Sequence, residues 1–285
     1  MTEEYFELNN GVKIPKLGIG TFRMQPATAQ RAVEAALKDG YHLIDTAEAY
    51  YNEDGVGRAI KNSGMNREDL FISTKLWTSS YNDPNAVDKA LDRLGLDYID
   101  LLFLHQPSGD WKTAYRTLEK AYQEGKIRAI GISNFERSSA TLKNVLDFAE
   151  VKPQVLQAEA HPYFPQTEAR EILKPYGTRL MAWYPLGSGD SSLINEPIFT
   201  KLAKKYNKSN VQIILRWHTQ MGFIVIPGST NPEHIHDNHD IFDFKLTDEE
   251  MTEIAKVNKN RRYYWNLATL PKYLKYKLAN IFSSR

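Results

Sequence analysis

Short apolar runs alternate along this chain with longer stretches in which apolar residues return every three or four positions. The short runs are LGIG from Leu17, HLIDT from His42, LFIST from Leu70, IDLLFLH from Ile99, IRAIGIS from Ile127, VLQAEA from Val155, RLMAWY from Arg179 and FIVIP from Phe223. They are continuously apolar rather than alternating, the pattern of parallel strands buried on both faces. Between them, ATAQRAVEAALKDG gathers Ala32, Val33, Ala36 and Leu37 on one helical face and stops at Gly40. DPNAVDKALDRLG predicts a helix capped by Asp83, with Pro84 at its first position and a stop at Gly95. WKTAYRTLEKAYQEG, SSATLKNVLDFA and NVQIILRWHTQMG repeat the helical pattern. Eight strands interleaved with helices predict the α/β class and a (β/α)8 barrel. A doubly wound sheet is the alternative, but GIGTFRMQ after the first strand lacks the Gly-rich dinucleotide turn. Ahead of the barrel, residues 5–15 predict a hairpin turning at Asn10-Gly11, placed to plug the barrel bottom. No linker interrupts the pattern, so one domain is expected over residues 1–285, with a tail over 259–285.

Composition narrows the function classes. Of 285 residues, 36 are Lys or Arg and 35 are Asp or Glu, so no basic footprint for nucleic acid is present. The chain has no cysteine, which removes disulfides, Cys-ligated zinc and a thiolate nucleophile; no metal site is expected. The start, MTEEYFEL, is acidic without a long apolar run, and no stretch approaches the roughly 18 apolar residues of a membrane span. A cytoplasmic protein without membrane or nucleic-acid partners is expected.

Chemistry in such a barrel sits at the carboxyl ends of the strands. Asp45, Lys75 and His105 end the second, third and fourth runs, about one βα unit apart. They should therefore stand on adjacent staves around one hollow, with Tyr50 following in the loop DTAEAY. Singly, each has a plain structural reading: Asp45 as a helix cap, Lys75 as a solvated loop residue, His105 as a satisfied structural group, Tyr50 as one of 16 tyrosines. Their joint placement is what points to chemistry.

The same residues carry a resemblance. DTAEAYYNEDGVGRAI is similar to the signature of the aldo-keto reductases, and GVKIPKLGIGTF, STKLW, LLFLHQP, IGISNF and AWYPLG follow in that family's order, from about Val12 to Phe244. The resemblance is to bacterial members of the diketogulonate and methylglyoxal reductase type. It implies reduction of an aldehyde or ketone by a nicotinamide cofactor, with Asp45, Tyr50, Lys75 and His105 as catalytic residues. A developing alkoxide needs a proton donor and hydrogen bonds. A phenol of pKa about 10 is a poor acid near neutrality, and an adjacent Lys75 ammonium favours its ionisation. Asp45 would orient Lys75, and His105 would hold the substrate oxygen.

By the same resemblance Gly20, Thr21, Ser133, Asn134 and Gln157 contact the cofactor, the last three at its carboxamide. Trp183 stacks on the nicotinamide, and Leu186, Gly187 and Ser188 cover the pyrophosphate. Gln157 serving only backbone groups and Trp183 serving only as core are the structural alternatives. The family commonly places a lysine and then an arginine after the last strand to bind the 2′-phosphate of NADPH. Here IPGSTNPEHIHDN has Gly228 and His234 at those places, while Ser229, Asn231 and Asn238 are retained types. Each missing charged hydrogen bond is worth roughly 1.5–3 kcal/mol, so NADP(H) and NAD(H) should both serve, with reduced discrimination.

For a small-molecule carbonyl substrate, Phe22, Trp77 and Tyr51 should rim an apolar mouth. Trp111, in a short fourth loop, either touches substrate or begins a helix. The tail, with Tyr263, Tyr264 and Trp265, occupies the family's C-terminal substrate loop; its KYLKYKLANIF portion reads either as a solvated basic face or as a membrane-surface segment. A monomer is expected from the resemblance. Two other functions fit parts of the pattern: a non-catalytic barrel that keeps the cofactor, and an aldolase using Lys75 as Schiff-base nucleophile. Asp45 argues against the second, because it would keep Lys75 charged.

Overall fold

The computed structural model describes residues 4–264, so Trp265 and the KYLKYKLANIF segment lie outside the described residues. Strands β1 (Tyr5–Glu7) and β2 (Lys13–Pro15) pair antiparallel with Phe6 opposite Ile14. Gly11 makes the expected turn at φ +83°. Eight parallel strands follow: β3 (Gly18–Gly20), β4 (Leu43–Asp45), β5 (Phe71–Leu76), β6 (Leu101–Leu104), β7 (Ile130–Ser133), β8 (Val155–Glu159), β9 (Arg179–Trp183) and β10 (Ile224–Val225). Each pairs with its neighbours in chain order. Closure comes from a parallel bridge between Leu17 and Val225, with the Val225 amide donating to Lys16 O at 2.9 Å. All eight expected strands are present, shorter than their apolar runs because the run ends curve into loops.

Helices α1 (Pro26–Lys38), α2 (Glu53–Ser63), α3 (Ala86–Leu94), α4 (Trp111–Gln123), α5 (Ser139–Phe148), α6 (Thr167–Leu173), α7 (Ser191–Ile194), α8 (Pro197–Tyr206), α9 (Asn210–Gln220), α10 (Pro232–His239) and α11 (Asp248–Ala255) surround the barrel. The expected cap of α3 is wrong. Asp83 instead closes a turn, its carboxylate accepting from the Asn85 amide (3.0 Å) and its carbonyl from the Ala86 amide (3.1 Å). Pro84 lies in that turn and Asn85 precedes the helix. Gly95 does end it, at φ +65°.

Alternation along the strands sorts two cores. Outward residues such as Ile44, Ile72, Leu102 and Ile130 pack with Val33, Val56, Leu91 and Leu118 of the helices. Inward residues Leu43, Phe71, Leu101, Phe103, Val155, Met181 and Ile224 fill the barrel, and the hairpin's Leu8 and Ile14 join that cluster. The hairpin, expected from its Asn10-Gly11 turn, thus stoppers the bottom. Gly131 makes this filling possible: a Cβ there would overlap the Phe103 ring.

Candidate active site

Counting by twos up the inward faces leads from the apolar filling to a polar crown. Leu43 leads to Asp45; Phe71 to Ser73 and Lys75; Phe103 to His105; Val155 to Gln157; Met181 to Trp183. Lys75 is fully buried. Its ammonium donates to Asp45 Oδ2 at 2.7 Å and to Thr46 O at 2.6 Å. The other oxygen of Asp45 accepts from Ser73 Oγ (2.8 Å) and Gln157 Nε2 (2.9 Å). Burial draws the pKa of Lys75 down, and the carboxylates of Asp45 and Glu53 oppose that pull.

Tyr50 ends a single 3₁₀ turn, Glu48–Tyr50, and its ring centroid lies 4.9 Å from Lys75 Nζ. Glu48 pins this turn to the end of β5, accepting from the Trp77 amide (2.7 Å) and Ser80 Oγ (2.6 Å). Asn52 ties the same loop to the first one, donating to Thr21 O and Met24 O. The His105 ring lies 5.8 Å from that of Tyr50 and 5.0 Å from that of Trp77. Burial, then the charges of Lys75 and Arg137, hold His105 well below its usual pKa, so it is neutral. Its Nδ1 has no hydrogen-bond partner among the described residues.

These side chains converge on one cavity of about 480 Å3. Of the residues expected at the site, Gly20, Phe22, Asp45, Tyr50, Tyr51, Trp77, His105, Ser133, Asn134, Gln157, Trp183, Leu186, Ser188 and Gly228 line it. Lys75 does not line it; its Nζ lies 4.9 Å from the centre of the Tyr50 ring. Arg23, Gln106 and Tyr184 also line it without a site role expected from sequence, and Tyr264, from the tail expected at the substrate loop, lines it too. Thr21 is buried behind the wall, its hydroxyl donating to Asp45 O. Trp111 is not among the lining residues. Asp110 caps α4, so Trp111 becomes its first residue, and its ring stands edge-on to Phe135 and Phe148. The helix-start reading of Trp111 therefore holds and the substrate one does not.

Beyond the cavity, Ser229 Oγ accepts from the Asn231 amide (3.1 Å) and Asn231 Oδ1 from the Glu233 amide (3.0 Å), shaping the entry to α10. His234 is exposed on that helix and Asn238 is buried in it. None of these four lines the cavity. Between β10 and the first loop, a Cβ on Gly228 would stand 2.9 Å from Gly20 O. The cleft there is walled by bare backbone, which allows phosphate groups a close approach. Across it, residues 184–190 turn through positive φ at Tyr184, Gly187, Ser188 and Gly189. Residues present thus fit a dinucleotide lying from Trp183 toward α10.

Two tail residues complete the site. The Tyr263 amide donates to Glu159 Oε1, its hydroxyl to Asp190 Oδ2 at 2.7 Å, and its ring packs against Gly187. Tyr264 stands edge-on to Trp183 at 5.3 Å.

An ammonium sealed against a carboxylate offers no lone pair for attack, while the phenol of Tyr50 and the imidazole of His105 carry protons and line the cavity. With an indole wall suited to a flat heterocycle, fold and site define a barrel oxidoreductase. The family model described as the aldo/keto reductase family matches residues 16–259, and the chain belongs to that family. It is 45% identical to the glyoxal reductase of Bacillus subtilis over 90% of this chain and 93% of that protein. It is 41% identical to the 9,11-endoperoxide prostaglandin H2 reductase of Trypanosoma cruzi, covering 90% and 92%. Among solved structures, the Bombyx mori aldo-keto reductase in complex with NADP superposes with a TM-score of 0.87 at 32% identity, covering 95% of this chain and 97% of that one.

Proposed function

We propose that this oxidoreductase reduces small aldehydes and ketones, including dicarbonyls of the glyoxal kind, with Tyr50 as proton donor. The observation that carries the reading is the Asp45–Lys75 pair at 2.7 Å, with Lys75 Nζ 4.9 Å from the centre of the Tyr50 ring and both Asp45 and Tyr50 lining the shared cavity. A bound reduced nicotinamide supplies the hydride. Tyr50 gives its phenolic proton to the carbonyl oxygen, and the Lys75 ammonium stabilises the phenolate left behind. Asp45 holds Lys75 in place through an ion pair that solvent does not reach. Neutral His105 donates one ring N–H to the same oxygen and sets the orientation of the carbonyl.

Ser133, Asn134 and Gln157 hold the carboxamide, Trp183 backs the nicotinamide ring, Leu186 and Ser188 cover the pyrophosphate, Gly20 borders the cofactor, and Thr21 supports that wall from behind. Gly228, Ser229, Asn231, His234 and Asn238 receive the adenosine end. Residues 227–235 contain neither lysine nor arginine, which supports use of both NADH and NADPH. Phe22, Trp77 and Tyr264 favour compact or aromatic substrates. The enzyme works as a monomer in the cytoplasm on this reading.

The test is oxidation of each reduced cofactor with methylglyoxal and with an aromatic aldehyde. Tyr50→Phe should lower kcat by at least about 100-fold, in the range that general acid catalysis provides. Undiminished turnover in that variant would remove Tyr50 from its role.

A further inference from the structure

Asn134 sits at the cavity wall in the left-handed region, at φ +67°, with both ends of its amide engaged. Its Nδ2 donates to His105 O at 3.0 Å and to Ser133 Oγ at 3.0 Å. Its Oδ1 accepts from the Arg137 guanidinium at 3.0 Å. An amide of this shape could turn over and keep its volume unchanged. Turned over, it would set Oδ1 against the His105 carbonyl and Nδ2 against a guanidinium that has only donors. Both contacts would be repulsive, so a donor at residue 137 fixes the polarity of the amide.

That polarity passes on to Ser133. A hydroxyl that accepts from Asn134 Nδ2 has its own proton left for another partner, and Ser133 lines the cavity. At its outer side the Arg137 guanidinium lies 5.3 Å from the ring centroid of Tyr264, which lines the same cavity. Arg137 thus joins the end of the described chain to the amide beside His105.

We infer that Arg137 is a positioning residue: through Asn134 it makes Ser133 a fixed hydrogen-bond donor to the carbonyl oxygen of the nicotinamide carboxamide. The inference rests on the reductase reading above. It adds a residue that touches neither substrate nor cofactor and a direction for each hydrogen bond in the relay. Because the relay ends at the carboxamide, it acts on the nicotinamide end of the ligand alone. ADP-ribose, which carries the rest of the dinucleotide without the nicotinamide, does not feel it.

The experiment measures dissociation constants for NADH and for ADP-ribose by titration calorimetry, in the unaltered protein and in Arg137→Met and Arg137→Lys. Arg137→Met should weaken NADH about tenfold, the worth of about one hydrogen bond, and leave ADP-ribose within about twofold. Arg137→Lys, whose ammonium can still donate to Asn134 Oδ1, should stay within about threefold of the parent for both. Asn134→Asp keeps a partner for Arg137 but removes the donor to Ser133, so it should repeat the selective loss. Arg137→Leu, which likewise has no donor for Asn134 Oδ1, carries the test if Arg137→Met does not fold. Equal weakening of both ligands, no weakening of either, or an Arg137→Lys as poor as Arg137→Met would overturn the inference. Failure of the unaltered protein to bind NADH while it binds ADP-ribose would instead overturn the reductase reading, and the inference with it.

Discussion

Replacing Glu136 with glutamine should stabilise the protein at alkaline pH and leave it little changed in acid. The Glu136 side chain is buried behind the loop that follows β7, and its Oε2 has no hydrogen-bond partner among the described residues. The nearest guanidinium nitrogen, from Arg262, stands 3.9 Å away. Burial pushes its carboxyl from the usual 4.5 up to about 7; its own backbone amide, Arg262 and Arg137 offset the burial only in part, and Glu159 adds to it. Because the folded value lies above the unfolded one, the folded state holds the proton more tightly. Below about pH 4.5 the group is protonated in both states and costs nothing. Stability is lost as pH rises from there through about 7, and the full cost persists above that. At about 1.4 kcal/mol per factor of ten, this cost is about 3 kcal/mol. Glutamine does not titrate and fills the same space, so the Glu136→Gln variant should gain up to about 3 kcal/mol over the parent at pH 8.5 relative to pH 4.5. Lost attraction to Arg262 and Arg137 reduces that gain. For a chain of this size the midpoint temperature should rise by roughly 5–10 °C. Urea unfolding of both proteins across that pH range measures the difference, and a stability offset that does not change with pH would refute the reasoning.

Two further outcomes follow from the site. Lys75→Met leaves Asp45 buried with only the neutral donors of Ser73 and Gln157, so it should cost about 3–5 kcal/mol in urea unfolding. Adding Asp45→Asn should return most of that stability without activity, and a double variant no more stable than the single one would contradict the pairing. Gly228→Lys should tighten NADPH about tenfold over NADH by restoring one charged hydrogen bond. Its Cβ must displace Gly20 O from 2.9 Å, so a lowered midpoint temperature should accompany the gain, and an unchanged ratio of the two dissociation constants would argue against a phosphate site there.

How far the fold could be read from sequence depended on burial. The barrel strands are buried on both faces, and LLFL or LFIST announces that without help from context. The regular separation of Asp45, Lys75 and His105 was legible for the same reason, since strand ends recur with each βα unit. Asp83 and Trp111 were misjudged or left open because a turn residue and a helix-start residue look alike until the chain direction is known. Nothing in the sequence marks Glu48, Arg137 or Glu136. Each acts on a loop contributed by a different part of the chain or on a neighbour across a 3₁₀ turn, and no local periodicity marks such contacts. Tyr264 lies in an aromatic stretch that the resemblance places at the substrate loop, but no pattern within it singles out one ring; the contact with Trp183 does.

The stoppered barrel floor also governs traffic. With Leu8 and Ile14 closing one end and Phe103 wedged against Gly131, there is no passage through the axis. Whatever reaches the crown must therefore come and go across the carboxyl ends of the strands, on the side away from the hairpin. The hairpin, at the opposite pole of the molecule, thereby decides from which side the crown is approached.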